Sequence, residues 1–179
     1  FIAYDYVSPT DISKQQSVKI IQYNRNYRIT DHQKLIDFIN FEKPDVIVVQ
    51  EATQSHSDAL KTIESQYPYQ IHEPRVNAFG MVAISKYPFI KQSVKKFDRI
   101  TLDNIQIHLQ IQPDGFSPIS IYAIHPPPPT SAALQAQRNM ELQITTQDIV
   151  NDISPNIIMM GDWNITPFSP YFKDVINNG

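Results

Sequence analysis

Short apolar runs alternate along the chain with polar, turn-rich connections, and four of these runs stop at a residue suited to metals or phosphates. Run 18–23 ends at Asn24, run 45–50 at Glu51 and run 119–124 at His125; run 156–160 leads into Gly161-Asp162-Trp163-Asn164. Near-continuous apolar runs of this length read as buried strands. Sites in α/β proteins gather where strands end and loops begin. One such ending means little. Four together, offering an amide, two carboxylates and an imidazole, suggest one shared site.

The segments between them predict the remaining elements. Residues 1–17 read as an irregular lead-in with a turn at Ser8-Pro9-Thr10. Thr30 and Asp31 supply cap chemistry for a helix whose stripe Leu35, Ile36 and Ile39 stops before Pro44. After Glu51 a second helix, capped by Ser55 or Ser57, turns Leu60 and Ile63 inward and closes at Tyr67-Pro68. Residues 79–85 form a strand ended by the Lys86-Tyr87-Pro88 turn. Ile105, Ile107, Leu109 and Ile111 alternate with Gln106, His108, Gln110 and Gln112, which predicts a half-buried antiparallel strand. Pro113-Asp114-Gly115 folds it back, as a hairpin, onto the strand ending at His125. A helix from about Ser131 to Ile153 presents Ala133, Ala136, Met140 and Ile144 on one face and stops at Ser154-Pro155. Ser169 caps a last short helix with Pro170 at its first position, and Asn177-Asn178-Gly179 reads as its C-cap.

Composition narrows the class. With 179 residues, 41% hydrophobic and 18% charged, the chain fits one globular domain, here 18–179 after the lead-in. No stretch approaches the ~20 apolar residues of a membrane span, and no basic, apolar leader suggests a signal peptide. The absence of cysteine removes disulfides, thiolate zinc sites and cysteine nucleophiles together. A net charge of −3 lacks the basic footprint of a protein that grips long nucleic acid through phosphates. It leaves room for a nuclease whose bound metal supplies the positive charge.

Each candidate also has an ordinary reading. Asp162 and Asn164, two apart after a glycine, can aim a carboxylate and an amide at one point, or simply cap a turn. Glu51 is either a solvated acid or, with Asp162, part of a hard-cation site. His125, held by Pro126-Pro127-Pro128-Pro129, can bond a phosphoryl oxygen or protonate a leaving group. The same prolines can instead be displayed to an SH3-like or WW-like partner. Asn24 is a turn residue or a carboxylate-orienting amide. Arg75 and Arg138 can contact phosphate, although Arg138, three residues before Glu141, suits a surface pair equally.

In this order, Asn24 after a strand, Val48-Val49-Gln50-Glu51, Gly80-Met81-Val82-Ala83-Ile84-Ser85-Lys86-Tyr87-Pro88, strand-final His125 and Gly161-Asp162-Trp163-Asn164 resemble the endonuclease/exonuclease/phosphatase superfamily, which includes deoxyribonuclease I. His125 before prolines and a helix carrying Arg138 is most similar to a bacterial branch whose members often carry membrane helices before the domain. The resemblance implies a four-layer α/β sandwich of two packed mixed β-sheets, and hydrolysis of phosphate esters with Mg²⁺ or Mn²⁺. A phosphodiesterase or nuclease is expected first, and a phosphomonoesterase of a small or lipid-derived phosphate second. It assigns Glu51 and Asn24 to the metal-phosphate unit and His125 to the phosphate or the leaving group. Asp162 falls to the attacking water, Asn164 to the phosphoryl oxygens. The family's closing serine-aspartate-histidine segment has no counterpart here, since no histidine follows His125. A missing C-terminal part, an exposed sheet edge and poor activity of the 179-residue chain alone are therefore expected.

Overall fold

The computed structural model describes residues 17–97 and 103–178. The expected lead-in falls almost wholly outside them, as does Gly179 of the expected C-cap. Two mixed sheets form. In the first, β1 (Ile20–Asn24) runs parallel to β2 (Val46–Gln50), while β4 (Met81–Ser85) pairs antiparallel with both β2 and β3 (Tyr69–Glu73), giving the order β1-β2-β4-β3. In the second, β5 (Phe89–Lys96), β6 (Ile105–Ile111) and β7 (Ile119–Ile124) are antiparallel neighbours, and β8 (Asn156–Met160) joins β7 in parallel.

Side-chain alternation turns these sheets into layers. Val46, Val48, Met81 and Ala83 face the second sheet and meet Ile105, Ile107, Leu109, Ile121 and Ala123. Ile47, Val49, Val82 and Ile84 point the other way, against Leu35 and Ile39 of α1 (Gln33–Glu42) and Leu60 of α2 (Gln54–Lys61). On the far side, Leu142 of α3 (Ala132–Val150) and Val175 of α4 (Pro170–Asn178) cover Ile124. The result is the four-layer sandwich. Full burial of such side chains contributes roughly 1.5–3 kcal/mol each, so the two central layers hold both strand ends rigidly. Among the described residues no helix is long and apolar enough to cross a membrane.

Several elements depart from the sequence reading. β6 is buried on both faces rather than half-buried, because α3 covers its polar face. There Gln106 accepts from Thr145 Oγ1 at 2.6 Å and donates to Asp148 at 2.9 Å. For the same reason the buried face of α3 is Gln137, Arg138, Glu141, Leu142, Thr145 and Ile149, while Ala133 and Ala136 are exposed. Thr53, not Ser55 or Ser57, caps α2, and His56 Nδ1 accepts from the Thr53 backbone N–H at 3.1 Å. His32 occupies the N-cap of α1 without a side-chain bond, while Asp31 pairs with Lys34 at 3.3 Å. β3 and β5 have no counterpart in the sequence reading. Both are polar edge strands; β3 is mostly half-buried and β5 mostly exposed.

Candidate active site

Parallel pairing places Asn24 opposite Gln50, so the ends of β1 and β2 come level. One residue later Glu51 adopts φ +58°, a left-handed conformation uncommon for a residue with a Cβ. It turns the carboxylate out of the sheet. Glu51 Oε1 accepts from Asn24 Nδ2 at 3.0 Å and Oε2 from the Tyr27 backbone N–H at 3.1 Å. Asn24 Oδ1 accepts from the Asn26 N–H at 3.1 Å. Such strain, of order 1–3 kcal/mol, tends to collect at functional sites. It recurs at Asn26 and Asn164, and away from the site at Lys43, the C-cap of α1.

From the second sheet, His125 follows β7 and is almost fully buried beside Phe79. Its Nδ1 lies 3.0 Å from the Ala78 carbonyl, which can only accept. Nδ1 therefore carries the hydrogen, leaving Nε2 for other work. Burial lowers the basicity of this ring, while the Asp162 and Glu51 charges oppose that shift. After β8, Gly161 at φ +135° makes the turn, since a Cβ there would lie 1.9 Å from the Ile124 carbonyl oxygen. Asp162 is exposed, with Oδ1 accepting from the Asn164 N–H at 3.1 Å. Asn164 Nδ2 donates to the Pro126 carbonyl at 2.9 Å.

One side chain ties the two halves together. Gln50 Oε1 accepts from Gln22 Nε2 at 2.5 Å and from the Asp162 backbone N–H at 3.0 Å; Gln50 Nε2 donates to the Ile124 carbonyl at 2.6 Å. The structure thus gathers Asn24, Glu51, His125, Asp162 and Asn164 at one end of both sheets. Arg138 joins as support, and the alternative surface pair with Glu141 does not form. Both residues are buried. Arg138 Nη1 donates to the Asn164 carbonyl at 2.9 Å, and its Nη2 to Asn139 Oδ1 at 2.8 Å. Arg75 is engaged by Glu73 at 3.2 Å and Asp103 at 3.0 Å.

The other histidines serve elsewhere. His56 caps α2 against His32, its pKa lowered to about 4 by burial and by the charges of His32 and Arg25. His108 stacks on Tyr122 at 4.3 Å. Pro126 and Pro127 are buried in the loop that holds Asn164, leaving only Pro128 and Pro129 exposed.

Sequence reasoning missed the supporting cast, namely Gln50 as a bridge, Tyr27, Ala78, Asn104 and Glu141. A lone glutamine closing an otherwise apolar strand was the available signal for Gln50. Asn104 Nδ2 reaches the His125 carbonyl at 3.3 Å and Glu141 Oε2 at 3.2 Å. Glu141 has no exposure, and burial pushes its pKa up to about 7 against the pull of hydrogen bonds from Gln137 and Asn104.

The donors fit a hard cation. Carboxylate oxygens of Glu51 and Asp162 sit with an asparagine amide, and neither thiolate nor an imidazole cluster accompanies them. Among the described residues no group of three or more His, Cys, Asp or Glu side chains is placed to hold a metal alone. A groove of about 550 Å³ between α3 and α4, lined by Leu142, Tyr171 and Val175, lies away from this chemistry.

Comparison with known proteins agrees with this architecture. The Endonuclease/Exonuclease/phosphatase family profile matches residues 21–179. No curated protein matches the chain in sequence. Among solved structures, D. rerio TDP2 complexed with single strand DNA product has a TM-score of 0.73 at 15% identity, covering 90% of this chain and 66% of that one. SmcL gives 0.70 at 19%, covering 89% and 68%. An endonuclease/exonuclease/phosphatase from Beutenbergia cavernae DSM 12333 gives 0.68 at 19%, covering 86% and 50%. The chain therefore spans roughly half to two thirds of the length of these structures. At such identities the likeness is one of fold.

Proposed function

Since the chain belongs to the Endonuclease/Exonuclease/phosphatase family, we propose that it hydrolyses phosphate esters with a divalent cation, Mg²⁺ or Mn²⁺, and favours phosphodiesters of the nucleic-acid kind. One observation carries this reading: Glu51, Asp162, His125 and Asn164 meet at one end of both sheets, joined through Gln50. That D. rerio TDP2 was solved with single strand DNA product supports the diester preference.

Glu51 and Asn24 would hold the cation, which supplies charge neutralisation at the phosphoryl oxygens. Asp162, exposed and already accepting from the Asn164 N–H, orients the attacking water. His125, its Nδ1 committed to Ala78, turns Nε2 to the phosphoryl group. Burial lowers the basicity of the ring more than the Asp162 and Glu51 charges raise it, so Nε2 takes a proton and donates to a phosphoryl oxygen only once the negative substrate faces it. Asn164 commits one amide hydrogen to Pro126, and the other steadies a phosphoryl oxygen. Negative charge grows on those oxygens as water attacks in line, so these groups bind the transition state better than the ester. Arg138 holds the Asn164 loop by its carbonyl.

The test is hydrolysis of a chromogenic phosphodiester, plasmid DNA and a phosphomonoester with Mg²⁺, Mn²⁺ or EDTA. It uses this chain, the chain extended at its C-terminus, and Glu51→Ala and Asp162→Ala. Metal-dependent diester turnover falling by about 10²–10⁴-fold in both variants is expected, with the extended chain the more active. Preference for the monoester would replace the diester reading. No turnover and no metal-induced rise in melting temperature would overturn catalysis altogether.

A further inference from the structure

We infer that Gln50 is the positioning residue of this site: its amide sets the spacing between the Glu51 end of the first sheet and the His125 and Asp162 segments of the second. The inference rests on the proposed hydrolysis and deepens it.

Gln50 closes β2 after four Val and Ile residues and has no exposure. A buried amide among apolar neighbours is costly unless its hydrogen bonds are made. Here Oε1 takes two donors and Nε2 one acceptor. Because Asp162 offers a backbone N–H and Ile124 a backbone carbonyl, the amide sits only one way round. Both partners lie at the reacting groups. Ile124 immediately precedes His125, and the bonded N–H is that of Asp162 itself. On the other side Gln50 immediately precedes strained Glu51.

Gly161 completes the joint, since a Cβ there would stand 2.5 Å from Gln50 Nε2. Only a side chain of this length, carrying both a donor and an acceptor, makes all three bonds. Methionine keeps the length and loses every bond. Asparagine is one methylene short. Glutamate loses the donor to Ile124 and buries a charge. A misplacement near 1 Å between groups that must act together can cost roughly 10²-fold in rate.

The experiment compares Gln50→Met and Gln50→Asn with Gln110→Met. Gln110 is another buried amide, which donates to Ser120 Oγ at 2.9 Å, away from the site. Four quantities are read well below each melting temperature: kcat and KM for the diester, Mn²⁺ affinity by water proton relaxation, and Mn²⁺ quenching of Trp163. Trp163 is the chain's single tryptophan and adjoins Asp162. In Gln50→Met, kcat should fall about 10²-fold while KM and Mn²⁺ affinity stay within about threefold. Quenching of Trp163 at saturating Mn²⁺ should fall by about half or more, because the ion stays with Glu51 as the Asp162 loop moves away. Gln50→Asn should be intermediate, and it decides the matter if Gln50→Met does not fold. The control should change none of these.

Unchanged kcat and quenching in the Gln50 variants, whatever their stability, would overturn the inference. So would an equal loss of Mn²⁺ affinity. If neither this chain nor the chain extended at its C-terminus turned over an ester, the functional reading would fail, while quenching and Mn²⁺ affinity would still judge the role of Gln50.

Discussion

Replacing Glu141 by glutamine should raise stability at alkaline pH and leave it almost unchanged in acid. The carboxyl has no exposure; Oε1 accepts from Gln137 Nε2 at 2.9 Å and Oε2 from Asn104 Nδ2 at 3.2 Å. Burial raises its pKa from 4.5 to about 7. An acid whose pKa is raised by folding is favoured in its protonated form. Its contribution is therefore fully present below pH 4.5 and lost as pH rises through about 7. Above that, the ionised form costs the folded protein roughly 3 kcal/mol, or about 6–12 °C in melting temperature for a chain of this size.

Glutamine at 141 carries no such penalty. Its amide can also donate to Asn104 Oδ1 or Gln137 Oε1, both buried without a partner. Burial lowers the pKa of His56, His72, His108 and His125, so their charging destabilises the fold as pH falls. That effect is common to both proteins and cancels in the difference. Thermal melts of the two proteins across pH 4.5–8.5, followed by circular dichroism, should show a gap that opens between pH 5 and 8. A gap constant with pH would refute the reasoning, because Glu141 would then be ionised, or solvated, throughout.

Gly161→Ala should cost about 3 kcal/mol or more in urea unfolding and abolish turnover, since its Cβ would meet the Ile124 carbonyl at 1.9 Å. A stable, active alanine variant would show that the turn has other room. Arg138→Met should lower stability by about 1.5–3 kcal/mol, the range for hydrogen bonds to charged groups. It should reduce kcat more than it raises KM, because the guanidinium holds the Asn164 carbonyl at 2.9 Å. A change confined to KM would place Arg138 on the substrate instead. Arg75→Ala should cost no more than about 1 kcal/mol through its pairs with Glu73 and Asp103. A several-fold rise in KM would reassign Arg75 to phosphate binding.

How much of this was legible in the chain differs by element. β2, β4 and β7 announce themselves as short apolar runs, because strands covered on both faces need apolar side chains throughout. β3 and β5 do not. No residue of β3 and none of β5 is fully buried, and their polar residues carry almost no period. The buried stripe of α3 was misread because apolar periodicity favoured Ala133 and Ala136, whereas its partner surface on β6 offers Gln106 to be hydrogen-bonded.

The site divides in the same way. The residue types at the strand ends, and the glycine that turns the chain before Asp162, were fixed locally and could be read there. Their meeting was not. Gln50 and Asp162 stand 112 residues apart, and a buried amide is acceptable only where folding brings the matching donor and acceptor to it. Residue types at the strand ends therefore pointed to candidate groups, and the family resemblance supplied the chemistry expected of them. Tertiary structure alone decided which groups share a site, which tautomer His125 adopts and that Glu141 lies fully buried behind it, since each depends on partners distant in sequence.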